Sequence, residues 1–337
     1  MAWRGCSTRS PTPPAHNTEA DAAMPAVSIV VPFYNQAPFL EHTLRSLTAQ
    51  TEPDLEILVV DDGSTEPPDA IVAAIGDPRL RLIRQPNRGV AHARNRGLAE
   101  STGEFVAFVD ADDALAPAMI DTLANALRGD AQCGFAYCEI QHVDTAGNPA
   151  DTYRIANARP TLSGDILQSL LTGGYFPPVA VLIRADALAG TGGFDAPLGG
   201  CCDWDLWIRL SIAGWHAAFV PEPLAYYRRH EASMSRDASH MRQTAIDTLT
   251  KNMTRHPARM AAAMHGLIET SEAIYAANVE LREHLQRHEA QRLTWRADIA
   301  AAAQHIRSLE DAMREPADRH PGQQDAAEPS ASAGSHR

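Results

Sequence analysis

Lysine is almost absent from this sequence, and the chain as a whole is acidic. Lys251 is the only lysine among 337 residues, and the formal net charge is −13. The shortage of lysine excludes a P-loop, which needs a lysine after its glycines, and leaves no convincing Schiff-base residue. The acidic balance argues against a nucleic-acid partner, because neutralising phosphates requires clustered lysine and arginine. Any anionic ligand must therefore be met locally, by a cation, a few arginines or helix N-termini.

Long apolar runs and cysteine patterns are missing as well. No stretch approaches the roughly 20 apolar residues of a transmembrane helix, and the apolar runs at 27–33 and 176–183 have the length of strands. The first 24 residues contain no apolar core of a secretory signal. Five cysteines without a C-x-x-C pair favour reduced thiols over a disulfide framework or a zinc knuckle. We therefore expect a cytoplasmic protein, with peripheral contact at the inner face of the membrane left open.

Composition and periodicity divide the chain into four segments. Residues 1–24, rich in Pro, Ser, Thr and Ala, predict a disordered leader, and Met24 is an alternative start. From 25 to 238, short β-branched runs alternate with helical spacing, which predicts an α/β fold with a mostly parallel sheet flanked by helices. Residues 239–314 predict a C-terminal helical extension, and residues 315–337 a disordered tail.

The helical extension carries an apolar stripe. Apolar residues recur at 3-4 spacing from Leu267 to Met313, with polar interruptions at His288 and Arg292. This spacing favours one long amphipathic helix or a coiled coil. Such a helix cannot bury its stripe against itself, so it must lie on the α/β domain or on a partner chain. We predict a homodimer through this helix.

Acidic residues follow two of the predicted strands. Asp61 and Asp62 come directly after the second strand, and Asp-Ala-Asp-Asp at 110–113 follows the fourth. In an open parallel sheet, ligands bind outside the carboxyl ends of the strands. Single acids there also serve as helix caps or turn formers. Two crowded clusters in an acidic chain favour a bound cation, and oxygen ligands point to Mg²⁺ or Mn²⁺ bridging to a diphosphate.

A third acidic position, Asp203, follows the pair Gly199-Gly200 and precedes a helix rich in tryptophan and leucine. One interpretation is a core-facing helix that Asp203 caps. The other is a flexible loop leading into a carboxylate, which suits a general base.

Seven short segments follow one another along the chain, and together they cover about 26–235. The segments are VSIVVPFYN at 27–35, VVDDGST at 59–65, NRGVAHARNRG at 87–97, VDADD at 109–113, GGFD at 192–195, the stretch around Asp203, and YRRH at 227–230. Each one is weak alone, but as an ordered set they resemble the motifs of family 2 inverting glycosyltransferases with the GT-A fold.

The resemblance implies an enzyme that moves a sugar, in the manner of hexosyltransferases, from a nucleoside-diphosphate sugar to an acceptor hydroxyl with inversion. UDP is the favoured nucleotide, and the acceptor is a sugar or a lipid-linked molecule. The implied setting is the synthesis of surface polysaccharide or glycoconjugate.

The resemblance also implies residues that bind the donor. Pro32 and Tyr34 match positions lining the nucleoside pocket, although Tyr34 also suits ordinary packing. Asp62 matches the carboxylate that accepts from the base, as the imide N–H of uracil requires. Arg94 matches an arginine next to the nucleotide, or a structural ion-pair residue. Asp112 matches a ribose or sugar contact.

The remaining implied roles concern the metal and the proton. Asp113 matches the ligand of a Mn²⁺ or Mg²⁺ ion, and His230 a further metal or phosphate contact, or else a surface histidine. Asp203 matches the general base, which at an ordinary aspartate pKa is ionised at pH 7 and needs little tuning. The family's usual Glu-Asp pair is Cys202-Asp203 here, so the base has lost its acidic neighbour.

Two other functions compete with this interpretation. A nucleotidyltransferase would also use acids and a metal, but the basic glycine-rich opening loop of that class is missing. A non-catalytic scaffold would bind nucleotide in the α/β domain and assemble through the C-terminal helix. Because the implied site residues end at His230, we expect a chain ending near residue 245 to keep its activity on the donor.

Overall fold

The computed structural model describes residues 25–151, 155, 162–172, 174–231, 233 and 237–314. The predicted leader and tail therefore lie outside the described residues. Contacts divide the chain into two compact units, one ending at Ile268 and the other beginning at Glu269.

The first unit is built on an eight-stranded sheet whose first half is parallel. Four strands pair in the order β3-β2-β1-β4, all in the same direction. Each crossover between consecutive strands contains a helix, and β1 is buried along its whole length. The elements are β1 (Val27–Phe33), α1 (Ala37–Thr48), β2 (Leu55–Asp61), α2 (Asp69–Ile75), β3 (Leu80–Arg84), α3 (Val90–Glu100) and β4 (Phe105–Phe108).

The second half of the sheet is mixed. Beyond β4 the order continues β7-β6-β8-β5, with β7 antiparallel to both of its neighbours and β5 antiparallel to β8. The predicted α/β sheet with flanking helices is confirmed. The parallel pairing that we expected is unbroken from β3 through β2 and β1 to β4. The elements are β5 (Ala114–Leu115), α4 (Met119–Gly129), β6 (Cys133–Val143), α5 (Leu167–Leu171), β7 (Val181–Arg184), α6 (Ala185–Thr191), α7 (Cys202–Ile212) and β8 (His216–Arg228).

The carboxyl ends of β1, β2 and β4 meet at one edge of the sheet. In the pairing register Phe33 lies opposite Asp61. The Val109 N–H donates to the Val30 carbonyl at 3.0 Å, so β4 remains beside β1 up to the acidic segment that follows it. Parallel pairing therefore places both predicted acidic clusters at the same edge.

The first unit extends beyond residue 238, where the sequence pattern placed its end. Helix α8 (Ala238–Arg255) buries Thr244, Thr248 and Asn252, and Met260 in the next helix belongs to the core. A chain ending near residue 245 would lose half of α8, so we no longer expect such a chain to remain intact. We predict instead that removal of the second unit, which begins at Glu269, leaves the first unit folded.

The second unit begins within α9, which runs without interruption over Pro257–Arg314. A long helix agrees with the apolar spacing of the sequence, and its Leu285, Leu293 and Ile299 are exposed in the single chain. A coiled coil or a dimer through these residues stays a prediction. Among the described helices, none combines the length and hydropathy needed to cross a bilayer.

Candidate active site

A cavity of about 540 Å³ opens at the edge of the sheet where β1, β2 and β4 end. Of the eight residues to which the family resemblance assigned a role, seven line the cavity and Asp113 does not. The lining includes Pro32, Tyr34, Asp62, Arg94, Asp112, Asp203 and His230. Residues separated by almost 200 positions in the sequence are thus brought to a single site.

Asp62, which follows β2, lines the cavity and accepts hydrogen bonds from the loop before α3. Its Oδ1 accepts from Gln85 Nε2 at 2.7 Å and from the Arg88 N–H at 3.0 Å, and its Oδ2 accepts from the Gly89 N–H at 2.8 Å. Gly63 is required beside it, because its φ is +74° and a Cβ there would lie 2.7 Å from the Asn87 nitrogen. Asp62 therefore holds the loop before α3 against β2 while it lines the cavity.

Tyr34 also lines the cavity and is 48% exposed. The next residue, Asn35, adopts a left-handed backbone with φ 51°. Its side-chain oxygen accepts from the Thr65 N–H at 2.9 Å and from the Thr65 hydroxyl at 3.1 Å. This turn leaves the Tyr34 ring available to stack on a planar ligand rather than to pack in the core.

Arg94 lines the cavity and is also an ion-pair residue. Its Nη2 contacts both carboxylate oxygens of Asp110, at 2.7 and 3.0 Å, and its Nη1 lies 3.6 Å from Cys202 Sγ. Burial alone would lower the pKa of Arg94, but the charges of Asp110 and Asp203 outweigh it and raise that pKa. The Arg94 guanidinium is therefore a permanent cation that pairs with Asp110 at the cavity wall.

Asp112 and His230 form a direct pair at the cavity. His230 Nε2 lies 2.7 Å from Asp112 Oδ2, and the His230 ring packs on Phe39 at 5.1 Å. Burial and the nearby charge of Asp110 raise the pKa of Asp112. His230 is thus placed in the site rather than on the free surface, which was the alternative interpretation.

Asp113 points away from the cavity. It is 2% exposed, and its Oδ1 accepts from the backbone N–H of Arg228 at 2.8 Å. Burial, together with the charges of Asp112 and Asp110, raises its pKa well above the ordinary value. The Arg228 side chain completes the link by donating from Nε to the Asp112 carbonyl at 2.7 Å. Asp113 therefore joins the acidic segment to the end of β8.

The described residues contain no group of three or more His, Cys, Asp and Glu side chains arranged as a metal site. The residues present nevertheless fit a shared cation. Asp112 and His230 present a carboxylate and an imidazole to the cavity, and the repulsion between Asp112 and Asp110 would be relieved by positive charge. Mg²⁺ and related ions are commonly held by one or two carboxylates together with substrate phosphates. A cation here would need a diphosphate to complete its coordination.

Asp203 lies in the first turn of α7 and is 3% exposed. Its Oδ2 accepts from the hydroxyl of Tyr175 at 2.8 Å, and its Oδ1 from the Trp204 N–H at 2.7 Å. Burial raises the pKa of Asp203, while Arg94 and the two hydrogen bonds lower it, and the net direction is upward. The expectation of an ordinary aspartate pKa is therefore wrong, because that expectation neglected burial.

Sequence reasoning missed Tyr175, which lines the cavity and bonds to Asp203. It belongs to none of the segments that carry the family resemblance, and no local pattern distinguishes it. The structure also gives a conformational reason for the predicted glycine loop. Gly199 has φ 47°, and a Cβ there would lie 3.1 Å from the His240 ring in α8.

Comparison with known sequences adds a family match. The sequence model for glycosyl transferase family 2 matches residues 28–187. The O-antigen biosynthesis protein RfbC of Myxococcus xanthus is 31% identical over 258 residues, covering 74% of this chain and 19% of that protein. The uncharacterized protein MT1568 of Mycobacterium tuberculosis is 31% identical over 223 residues, covering 63% of this chain and 69% of that protein. The chain thus spans about a fifth of the first relative and about two thirds of the second.

Comparison with solved structures identifies the same architecture. Residues 1–349 of TarS from S. aureus superpose with a TM-score of 0.53 at 19% identity, covering 67% of this chain and 65% of that one. The mannosyltransferase PcManGT from Pyrobaculum calidifontis, in complex with GDP-Man and Mn²⁺, gives a TM-score of 0.53 at 23% identity, covering 77% and 81%. At these identities the likeness is one of fold, and it confirms the GT-A-type fold that the motifs implied.

Proposed function

Because the chain belongs to glycosyl transferase family 2, we propose that it transfers a sugar from a nucleoside-diphosphate sugar to an acceptor hydroxyl with inversion. The observation that carries this proposal is the single cavity lined by Asp62, Asp112, His230 and Asp203. A nucleoside, a diphosphate and a reacting hydroxyl each need a different partner, and this cavity supplies all three kinds.

The nucleoside is proposed to bind between Tyr34 and Asp62. A flat base stacks favourably on an exposed aromatic ring. Each carboxylate oxygen has two lone pairs, and Asp62 Oδ2 accepts only one of the hydrogen bonds described above. The second lone pair suits the imide N–H of uracil, so UDP is the favoured nucleotide. One solved neighbour is a complex with UDP-GlcNAc, which supports the choice, whereas PcManGT is described with GDP-Man.

The diphosphate is proposed to lie near Asp112 and His230, which would share a Mn²⁺ or Mg²⁺ ion with it. When bound, such a cation supplies Lewis-acid charge that offsets the growing negative charge of the leaving diphosphate. Mn²⁺ is present in the PcManGT complex. We assign Asp113 a supporting task, since its carboxylate faces the Arg228 backbone rather than the cavity.

Asp203 is proposed to be the general base. It lines the cavity beside the buried cation of Arg94, which favours the ionised carboxylate. Asp203 would take the acceptor proton as the acceptor oxygen attacks the anomeric carbon from the face opposite the diphosphate. One displacement without a covalent intermediate inverts the configuration.

The biological setting is proposed from the relatives. RfbC is named for O-antigen biosynthesis, and a further relative, the chondroitin synthase of Escherichia coli, is 29% identical over 57% of this chain. We propose that this chain acts in the synthesis of a surface polysaccharide or glycoconjugate, on a sugar or lipid-linked acceptor. Its proposed location is the cytoplasm, and contact with the inner face of the membrane is left open.

A thermal-shift screen tests donor binding directly. The purified full chain would be heated with UDP-glucose, UDP-galactose, UDP-GlcNAc or GDP-mannose, each with and without Mn²⁺. We expect a rise in Tm that requires both Mn²⁺ and one of the UDP-sugars, because ligand binding to the folded state stabilises it. The absence of a Mn²⁺-dependent rise with every donor would contradict the proposal.

Assays of the products distinguish the alternatives. Release of UDP from the stabilising donor supports a transferase. Stabilisation without UDP release from a panel of sugar and lipid-linked acceptors would favour the non-catalytic scaffold. Release of pyrophosphate from a nucleoside triphosphate and a sugar phosphate would favour the nucleotidyltransferase.

A further inference from the structure

Helix α7 binds the segment that carries Tyr175 through two tryptophans. Trp204 Nε1 donates to the Leu170 carbonyl at 3.1 Å, and Trp207 Nε1 donates to the Phe176 carbonyl at 3.2 Å. Both donors are buried, and each replaces the water that its partner carbonyl would otherwise require. The backbone on both sides of Tyr175 is thus fixed to the helix that carries Asp203.

Aromatic packing adds a second restraint. The Phe176 ring stacks on the Tyr137 ring with 4.3 Å between centroids and an interplanar angle of 6°. It also stacks on the Trp207 ring with 5.4 Å between centroids and an angle of 16°. Phe176 is fully buried. The residue next to Tyr175 is therefore anchored in the core, which limits the positions that the Tyr175 ring can reach.

Tyr175 lies at the cavity surface and turns its hydroxyl inward. The residue is 37% exposed and lines the cavity, yet its hydroxyl is 2.8 Å from Asp203 Oδ2. Burial of the hydroxyl and the charge of Asp203 raise the pKa of Tyr175 well above its ordinary value. The phenol therefore remains protonated at working pH, so it is the donor in this bond.

We propose that Tyr175 is a positioning residue that orients the Asp203 carboxylate toward the acceptor hydroxyl. This inference rests on the proposed function, in which Asp203 is the base. The Trp204 N–H fixes Oδ1, and the Tyr175 hydroxyl fixes Oδ2. Each oxygen keeps a lone pair for the acceptor proton, while rotation of the carboxylate would break one of the two bonds.

The other groups around Asp203 explain why it needs this donor. Arg94 from α3 favours the ionised carboxylate, and Asp110 beyond β4 opposes it. Cys201 and Cys202 have pKa values raised by burial, so they remain neutral thiols. Tyr227 of β8 faces Tyr175 and contributes no positive charge. Burial raises the pKa of Asp203, and Arg94, the Tyr175 hydroxyl and the Trp204 N–H oppose that rise.

The test measures the ionisation of Asp203 itself. The full chain would be labelled with ¹³C at aspartate carboxyls, and the Asp203 resonance identified by its loss in Asp203→Asn. We expect Tyr175→Phe to raise the pKa of Asp203 by about one unit, as loss of a hydrogen bond to a charged group implies. UDP release from UDP-glucose would also be measured for Tyr175→Phe in the presence of Mn²⁺, with water as the acceptor. We expect kcat to fall and KM to stay unchanged. The loss of rate toward acid pH should begin at a higher pH than in the unmodified chain.

Tyr137→Phe is the matched control. It also removes a phenol hydroxyl, which donates to the Leu162 carbonyl at 2.6 Å, but Tyr137 does not line the cavity. This variant should lower Tm without moving the Asp203 pKa. An unchanged Asp203 pKa in Tyr175→Phe, or an equal shift in both variants, would overturn the inference. Full UDP release by Asp203→Asn would instead refute the proposed base, so the two failures are distinguishable.

Discussion

The guanidinium of Arg94 contacts both carboxylate oxygens of Asp110 while only 5% of the Arg94 residue is exposed. This pair joins α3 to the acidic segment after β4. The fixed positive charge of Arg94 also interacts with the carboxylates of Asp110 and Asp203. Charge in a site with little water acts strongly on its neighbours, so Arg94 favours the ionised form of Asp203.

Adjacent aspartates should behave differently toward a cation. We expect Asp112→Asn to lower Mn²⁺-dependent affinity for UDP at least tenfold, because the cation would lose a carboxylate ligand. Asp113→Asn should keep most of that affinity, since its amide oxygen can still accept from the Arg228 N–H. Isothermal titration of UDP with and without Mn²⁺ measures both. An equal loss in Asp113→Asn would make Asp113 a direct ligand, as the sequence motif implied.

Removing the base should separate binding from transfer. We expect Asp203→Asn to retain donor affinity and to lose transfer by about 10²- to 10⁴-fold, because an amide cannot take the acceptor proton. Rates with saturating donor and acceptor, beside donor titrations, provide the measurement. Asp205 is a poor replacement because it is fully buried and already accepts from Arg209 and Lys251. Transfer at the unmodified rate would exclude Asp203 as the base.

The raised pKa of Asp203 predicts how its substitution affects stability. A carboxyl whose pKa is higher in the folded than in the unfolded state destabilises the fold as pH rises from the unfolded value through the folded value. The free energy of unfolding of Asp203→Asn relative to the unmodified chain should therefore rise over that window and then level off. The change is about 1.4 kcal/mol per unit of difference between the two pKa values. Urea unfolding of both chains from pH 4 to 8 measures this difference in unfolding free energy. A difference that does not change with pH would contradict a raised pKa of Asp203.

The single lysine should stabilise the docking of α8 on α7. Lys251 Nζ lies 2.8 Å from each oxygen of Asp205, which has no exposed surface, and 2.6 Å from Asp195. Lys251→Ala should cost roughly 1.5–3 kcal/mol of unfolding free energy, because the buried carboxylate of Asp205 loses one charged partner and keeps Arg209. Arg45→Ala, which removes the exposed pair with Glu41, should cost less than about 1 kcal/mol. Similar losses in urea unfolding would mean that the Lys251 pair is no stronger than a surface pair.

Truncation tests the second unit separately. A chain ending at Ile268 keeps all of α8 and the buried residues Met260 and Ala263. It should retain Mn²⁺-dependent donor binding. If α9 forms a dimer in the full chain, the shortened chain should sediment as a single chain. The full chain is the control. One chain per particle in both forms would contradict the dimer, and loss of donor binding would show that residues beyond Ile268 support the site.

Local sequence patterns are enough to predict which residues could meet at the site. Apolar β-branched runs ending in acids predict strands whose carboxyl ends carry Asp62 and Asp112, since parallel pairing brings those ends to one edge. These are local patterns, and they need no knowledge of distant contacts. Pro32, Tyr34 and Asp203 were likewise identified by short motifs, and all of them line the cavity.

The direction that each of those side chains faces depends on how the chain packs. Asp112 and Asp113 are neighbours in one motif, yet one lines the cavity and the other bonds to a backbone N–H of β8. Tyr175 reaches Asp203 across 28 residues of sequence, and no periodicity encodes that contact. The pKa of Asp203 likewise depends on burial by distant segments. Side-chain direction, long-range pairing and desolvation arise from packing between distant segments, so local sequence patterns do not predict them.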